Sequence, residues 1–238
     1  MREYYTRACN FYHGKIAKNL ILNKKALPLN SRQDIAFDQI EIFQRKKNKI
    51  VESKFCSITE IKNLDGQMLL EVDEDIKNIT LEKQSILGLK FDTPNIMGAL
   101  NITPDSFSDG GLFFEETKAY DQAKLMIDSG ATIIDIGGES TRPGSTTIDE
   151  KEEWKRVENT IVKCKKYFPK VLLSLDTRKS YVMSKGIQNG VDIINDVSGL
   201  NFDDKSFDLI NSKNIPFILH HMQGIPETMQ NNPIYDDV

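Results

Sequence analysis

The sequence predicts an α/β chain: a small, mostly β N-terminal region over residues 1–93, then a repeated strand–helix unit over residues 94–238 that implies a parallel sheet. Three observations carry this reading. Residues 1–93 are rich in Lys, Asn, Gln and Ile and show few strong helix patterns. From Pro94 onward, compact runs of Ile, Leu and Val alternate with polar loops and amphipathic stretches. The unusual polar clusters of the chain all fall where those apolar runs end.

In the N-terminal region, Ile35-Ala-Phe37, Ile40-Glu-Ile42-Phe43 and Met68-Leu-Leu-Glu-Val72 partly alternate apolar and polar residues, as half-buried strands require. The basic cluster Arg45-Lys-Lys-Asn-Lys49 reads as a solvated turn between strands, with a grip on an acidic partner as the alternative. After Pro94 the predicted strands are residues 95–101, 132–136, 171–175, 192–195 and 216–221, runs apolar enough to be buried on both faces. Between the first two, Ala119, Ala123, Met126 and Ile127 share one helical face before Gly130 stops the helix. Asp149 is placed to cap the next helix, with Glu152 three residues later. Trp154, Val157, Ile161, Cys164 and Phe168 then follow at spacings of 3, 4, 3 and 4 before Pro169. That stripe is core, so neither Trp154 nor Cys164 is read as a catalytic group. The remaining helices are expected over residues 179–189 and 205–213.

With 238 residues and 39% hydrophobic composition, the chain has room for one barrel-sized domain or two smaller ones. A net charge of −4 offers no basic stripe for a phosphate backbone, so no nucleic-acid partner is expected and any anion must be held locally. Cys9, Cys56 and Cys164 are odd in number, far apart and without CxxC spacing, which argues against a disulfide framework or zinc site and for a reducing cytoplasm. The opening MREYYTRACNFYHGK lacks the build of a secretion signal, and nowhere do 18 apolar residues run together, so no membrane partner is expected.

In parallel α/β folds, ligands gather beyond the C-terminal ends of the strands. Five clusters stand there: Asn101-Ile-Thr-Pro-Asp-Ser-Phe-Ser-Asp-Gly-Gly111, Gly137-Gly-Glu-Ser-Thr-Arg-Pro-Gly-Ser145, Asp176-Thr-Arg178, Asn195-Asp196 and His220-His-Met-Gln-Gly224. Hydroxyls, glycines and one arginine in the first two loops suit a diphosphate, which needs closely approaching N–H groups and a forked cation. Asp176 and Asn195 end buried strands, where an unpaired polar group is costly, so each is expected to meet complementary hydrogen-bonding edges such as those of a flat polar heterocycle. Taken singly, each feature has a blander reading. Asp176 also fits an Asx turn or helix cap, His220 or His221 a structural histidine, and Gly110-Gly111 any turn.

Two long segments carry a specific likeness. Ile96-Met-Gly-Ala-Leu-Asn-Ile-Thr-Pro-Asp-Ser-Phe-Ser-Asp-Gly-Gly111 and Gly130-Ala-Thr-Ile-Ile-Asp-Ile-Gly-Gly-Glu-Ser-Thr-Arg-Pro-Gly144 resemble the two signature motifs of the dihydropteroate synthases. Ser174-Leu-Asp-Thr177, Ile193-Ile-Asn-Asp-Val197, His221-Met-Gln-Gly224, Pro226-Glu-Thr-Met-Gln230 and Asn232-Pro-Ile-Tyr-Asp-Asp-Val238 continue the match in one register. The resemblance implies a (β/α)8 TIM barrel of which about five strands are present. It also implies a transferase of folate biosynthesis that joins 6-hydroxymethyl-7,8-dihydropterin diphosphate to p-aminobenzoate, giving 7,8-dihydropteroate and diphosphate. In that family the C–O bond breaks largely before the amine attacks, so charge develops on the leaving diphosphate.

The resemblance further implies roles for individual residues, with none assigned as acid or base. Asn101 would ligate Mg²⁺, a hard cation suited to an amide oxygen. Thr103, Asp105, Ser106, Phe107, Ser108, Asp109 and Gly110 would close over the diphosphate. Thr141 and Arg142 would bind its oxygens, and Pro143 would line the p-aminobenzoate pocket. Asp176 and Asn195 would hold the pterin's amino-pyrimidinone edge, with His221 and Met222 nearby and His220 without a role. The family's later Gly-rich aspartate motif, its pterin-contacting lysine and its Arg–His pair do not occur in this sequence, so a C-terminally incomplete chain is expected. A homodimer is expected of the full-length form, and a structural or oligomer-supporting use of residues 1–93. Two other readings stay open. One is a truncated, non-catalytic pterin-binding or interaction protein. The other is a pterin-dependent methyltransferase, disfavoured because a methyl-transfer site has no diphosphate to cradle.

Overall fold

The computed structural model describes residues 2–46, 51–103, 112–140, 146–225, 228 and 232–234. The chain forms two compact units, Met1–Pro94 and Asn95–Asp236. Among the described residues, no helix is long and apolar enough to cross a membrane.

The first unit runs β1 (Tyr4–His13), α1 (Gly14–Leu22), β2 (Leu27–Pro28), β3 (Ile35–Arg45), β4 (Val51–Ser57), a 3-10 turn at Ile61–Asn63 and α2 (Gly66–Thr80). β3 is the centre of an antiparallel sheet, with β1 along one edge and both β2 and β4 on the other. The two predicted runs at residues 35–37 and 40–43 are thus one strand, and the basic cluster beyond Arg45 falls between β3 and β4, with residues 47–50 outside the described residues. Met68-Leu-Leu-Glu-Val72 is not a strand. It lies inside α2, where Met68, Leu69, Val72, Ile76 and Ile79 recur at helical spacing and pack on Ile40 and Ile42 of the sheet. Buried Glu71, next to Val72, accepts the N–H groups of Glu3 and Tyr4 at 3.1 and 2.7 Å, so the helix also satisfies the start of β1.

The second unit alternates β5 (Met97–Asn101), α3 (Leu112–Asp128), β6 (Ile133–Gly137), α4 (Glu150–Tyr167), β7 (Leu172–Asp176), α5 (Ser180–Gln188), β8 (Ile193–Asp196), α6 (Lys205–Lys213) and β9 (Phe217–Leu219). All four strand pairings are parallel, in the sequential order β5-β6-β7-β8-β9. This is the predicted alternation of five strands and their connecting helices, and it fits the barrel architecture the motifs imply.

Two stripes build the core between sheet and helices. Leu100, Ile134, Ile136, Leu173, Leu175 and Ile194 face outward from the strands, against Val157, Ile161 and Cys164 of α4, all nearly or wholly inaccessible. On α3, Ala119 and Ala123 are fully buried, and Gly130 at φ +104° takes the left-handed turn that ends this segment. Asp149 caps α4 by accepting the Lys151 N–H at 2.9 Å, whereas Glu152 pairs with Arg156 on the helix surface. Burial on both faces holds for β6, all five residues of which are inaccessible, but not for the outer strands. Leu219 of β9 is 76% exposed, and Met97 of β5 37%.

Candidate functional site

Strand register, rather than loop structure, assembles the site. Asn101 pairs with Gly137, Gly137 with Asp176, and Asp176 with Asn195, so four successive strands end in one row. Side chains alternate along a strand, so these residues face away from the helix-covered core, and the residues two positions earlier form a second layer on the same face. That layer reads Ala99, Asp135, Ser174 and Ile193.

Gly137 leaves the middle of the row open. A Cβ there would stand 3.1 Å from Asn101 Oδ1 and 3.5 Å from Asp176 Oδ2, so the two polar side chains converge over a residue that has none. The Asp176 carboxyl is pushed up to about 7, first by loss of hydration and then by the negative charges of Asp135, Glu153, Asp196 and Glu139. Asn195 donates through Nδ2 to Asp135 Oδ2 at 2.9 Å, and its Oδ1 lies 2.6 Å from His220 Nε2. Asp135 Oδ1 and Ser174 Oγ are buried with no hydrogen-bond partner among the described residues. Buried polar atoms of that kind call for a partner, and a polar group entering this face would supply one.

The neighbouring polar residues have structural work. Asp196, fully buried, accepts the N–H and hydroxyl of Ser198 and the N–H of Leu200, shaping the turn after β8. Arg178 and Lys179 follow Asp176 closely, yet both are turned into a buried ion cluster. Arg178 donates twice to Glu139 Oε1, at 2.9 and 2.8 Å, and its guanidinium lies 4.2 Å from the ring centre of Phe202. Lys179 bridges Glu139 and Glu153 at 2.6 and 2.5 Å.

Of the residues predicted for the site, Asn101, Asp176 and Asn195 are brought together. His221 and Met222 follow β9, and Thr103 follows β5 by two residues. Asp105, Ser106, Phe107, Ser108, Asp109, Gly110, Thr141, Arg142 and Pro143 lie outside the described residues. His220, assigned no role from the sequence, is the histidine that meets Asn195, because Asn195 and its β9 neighbour Ile218 bring the residue just past the strand end within reach. Asp135 was missed as well, although a signal existed. It is a charge inside the apolar run Ile133-Ile-Asp-Ile136, two residues before Gly137 and therefore on the ligand face.

Comparison with known proteins agrees with this geometry. Residues 97–238 match the family model described as pterin binding enzyme. The dihydropteroate synthase of Neisseria meningitidis serogroup B is 45% identical over 149 residues, covering 62% of this chain and 52% of that protein. That of Escherichia coli is 45% identical over 145 residues, covering 61% and 51%. Among solved structures, Yersinia pestis dihydropteroate synthase with a sulfonamide drug superposes with a TM-score of 0.57 at 42% identity, covering 63% of this chain and 54% of that one. The Xanthomonas albilineans enzyme with 4-aminobenzoic acid does so at 0.56 and 38%, covering 63% and 52%. The chain spans about half the length of the curated relatives it matches. The parallel sheet, the polar row at its strand ends and a family match over most of the second unit lead to one assignment: the chain belongs to the pterin-binding enzyme family.

Proposed function

We propose that this chain carries the pterin-binding part of a dihydropteroate synthase, which joins 6-hydroxymethyl-7,8-dihydropterin diphosphate to p-aminobenzoate and releases diphosphate. The observation that carries the reading is the row Asn101, Asp176, Asn195 across adjacent strand ends, in a chain whose relatives are dihydropteroate synthases. Asp176, once ionised, accepts the N–H groups of the pterin's amino-pyrimidinone edge, and Asn195 completes that edge with an orientation set by Asp135. Solved relatives hold ligands of the same reaction: 4-aminobenzoic acid in one Xanthomonas albilineans complex and 7,8-dihydropteroate in the Burkholderia cenocepacia enzyme.

Mg²⁺ belongs to the proposal through Asn101. Among the described residues, no group of three or more His, Cys, Asp or Glu is arranged to hold a metal, and the amide oxygen of Asn101 is a single hard donor beside Asp176. Such a donor set fits an ion that keeps most of its waters and takes further ligands from a diphosphate. When bound, the ion would neutralise charge on the leaving group. Arg178 and Lys179 are engaged with buried carboxylates, so the diphosphate-binding cation of this reading is Arg142, flanked by Thr141 and Pro143. On this reading Thr103, Asp105, Ser106, Phe107, Ser108, Asp109 and Gly110 would close over the diphosphate. The reading includes a homodimer and a cytoplasmic location, the latter supported by three free cysteines, two of them buried.

Calorimetric titration of the chain with the pterin diphosphate tests it. Binding that requires Mg²⁺, and that permits p-aminobenzoate to be converted to dihydropteroate, is the expected result. A chain that binds methyltetrahydrofolate and ignores the pterin diphosphate is a methyltransferase-type protein instead. Pterin binding without turnover marks a non-catalytic member.

A further inference from the structure

The buried ion cluster beside the site is larger than a cap or a turn requires. Glu139, 5% exposed, receives Arg178 Nε and Nη2 on one carboxylate oxygen, and Lys179 Nζ and the Ile148 N–H on the other, at 2.6 and 2.9 Å. Arg178 also donates to Thr147 Oγ1 at 2.9 Å, and Lys179 passes on to Glu153 of α4 at 2.5 Å. Burial alone would raise the Glu139 carboxyl, but the hydrogen bonds from Lys179, Ile148 and Arg178 reverse that and hold it below its usual range. Two carboxylates and two cations balance, and each cation follows Asp176 by only two or three residues.

Topologically, Glu139 is the second residue after β6, while Thr147 and Ile148 immediately precede the α4 cap. Both ends of the 140–146 connection therefore converge on the segment that follows Asp176. We propose that Glu139 is a positioning residue: with Arg178 and Lys179 it anchors both ends of the connection bearing Thr141 and Arg142 to the Asp176 strand end, so that the diphosphate contacts and the pterin contacts keep a constant spacing. The consequence for ligands rests on the pterin diphosphate reading above, whereas the anchoring itself does not.

Hydrogen exchange on the full chain reads the anchoring without ligand. In Glu139→Gln, an amide NH2 faces groups that are themselves donors, so peptides spanning residues 146–149 are expected to exchange about tenfold faster. The β7 strand Leu172–Asp176 keeps its protection in that variant. Lys179→Met, which removes the cation between two carboxylates, is the second variant and carries the same expectation. Titrations then use 6-hydroxymethyl-7,8-dihydropterin with and without its diphosphate, both in Mg²⁺. Affinity for the diphosphate form falls about tenfold in each variant and that for the bare pterin less than about twofold, since the Asp176 contact is retained. Unchanged exchange in both variants overturns the proposal, as does an equal loss for both pterins, which would make the cluster general scaffolding. If the unmodified chain binds neither pterin, the pterin reading fails on its own, and the exchange data still decide the anchoring.

Discussion

Asn195 donates through Nδ2 to Asp135 Oδ2 at 2.9 Å, and this bond decides which edge of Asn195 faces the site. A carboxylate has no proton to give, so the amide turns its NH2 group toward Asp135 and leaves Oδ1 opposite, beside His220. Asp135 pairs in register with Ser174 of β7 and Asn195 with Asp176, so the bond crosses the intervening strand. Replacing Asp135 by Asn offers the amide a second NH2 group and removes the reason for its orientation. Asp135→Asn is expected to weaken pterin binding about tenfold, because a hydrogen bond to a charged group contributes roughly 1.5–3 kcal/mol. Titration measures it, and unchanged affinity removes Asp135 from the recognition set.

In the proposed pterin site Asp176 accepts directly from the pterin edge, so its replacement acts more strongly. Asp176→Asn keeps the shape but puts an N–H donor where the pterin edge also donates. Loss of a charge-assisted acceptor plus a donor–donor conflict is expected to weaken pterin binding on the order of a hundredfold. An affinity within twofold of the unmodified chain would refute the assignment of Asp176 to the pterin edge.

The same variant has an opposite effect on stability, and its size depends on pH. Folding raises the Asp176 carboxyl from 3.8 to about 7, so the folded state holds this proton more tightly than the unfolded chain does. Its stabilising contribution is complete below pH 3.8 and is lost as pH rises through about 7. Above pH 7 the ionised carboxylate is a liability that Asn lacks. Asp176→Asn should therefore be more stable than the unmodified chain at pH 8, by about 4 kcal/mol, with the gap closing toward pH 4. Thermal melts at the two pH values provide the comparison. An equal difference at both contradicts the linkage.

Ile161 and Val162 are adjacent on α4, yet the first is wholly buried and the second 44% exposed. Ile161→Ala should cost about 2–4 kcal/mol by removing core volume between α4 and the sheet. Val162→Ala should change stability by less than about 0.5 kcal/mol. Comparable losses in urea denaturation would mean that the stripe is not where the spacing puts it.

Much of this was readable from residue order alone, for identifiable reasons. The 3-and-4 spacing of Trp154, Val157, Ile161 and Cys164 has one helical solution, and apolar runs such as Ile133-Ile-Asp-Ile136 suit a strand buried on both faces. The polar residues at the strand ends announced the site because a buried strand tolerates them only with partners. Side-chain pairing was not readable in the same way. Arg178 and Lys179 follow Asp176 in sequence without a partner in view, and only the fold shows that Glu139 and Glu153 engage them. The resemblance points to His221 and gives His220 no role, and only the fold shows His220 beside Asn195.

The segment at residues 68–72 shows why a short apolar run is ambiguous, and it supplies a direct test. As a strand, Met68, Leu70 and Val72 would share one face. In α2, a helix of 15 residues, Val72 joins Leu69, Ile76 and Ile79 on the sheet, while Leu70 turns outward and is 67% exposed. The longer spacing to Ile76 and Ile79 favours the helix, and five residues alone do not reveal it. Truncation separates the two arrangements. Val72→Ala should destabilise the first unit by about 1–2.5 kcal/mol, and Leu70→Ala by less than about 0.5 kcal/mol. A strand would make both losses large, since both side chains would then be removed from the same buried face. Equilibrium denaturation of the full chain, with the two variants measured side by side, decides between them.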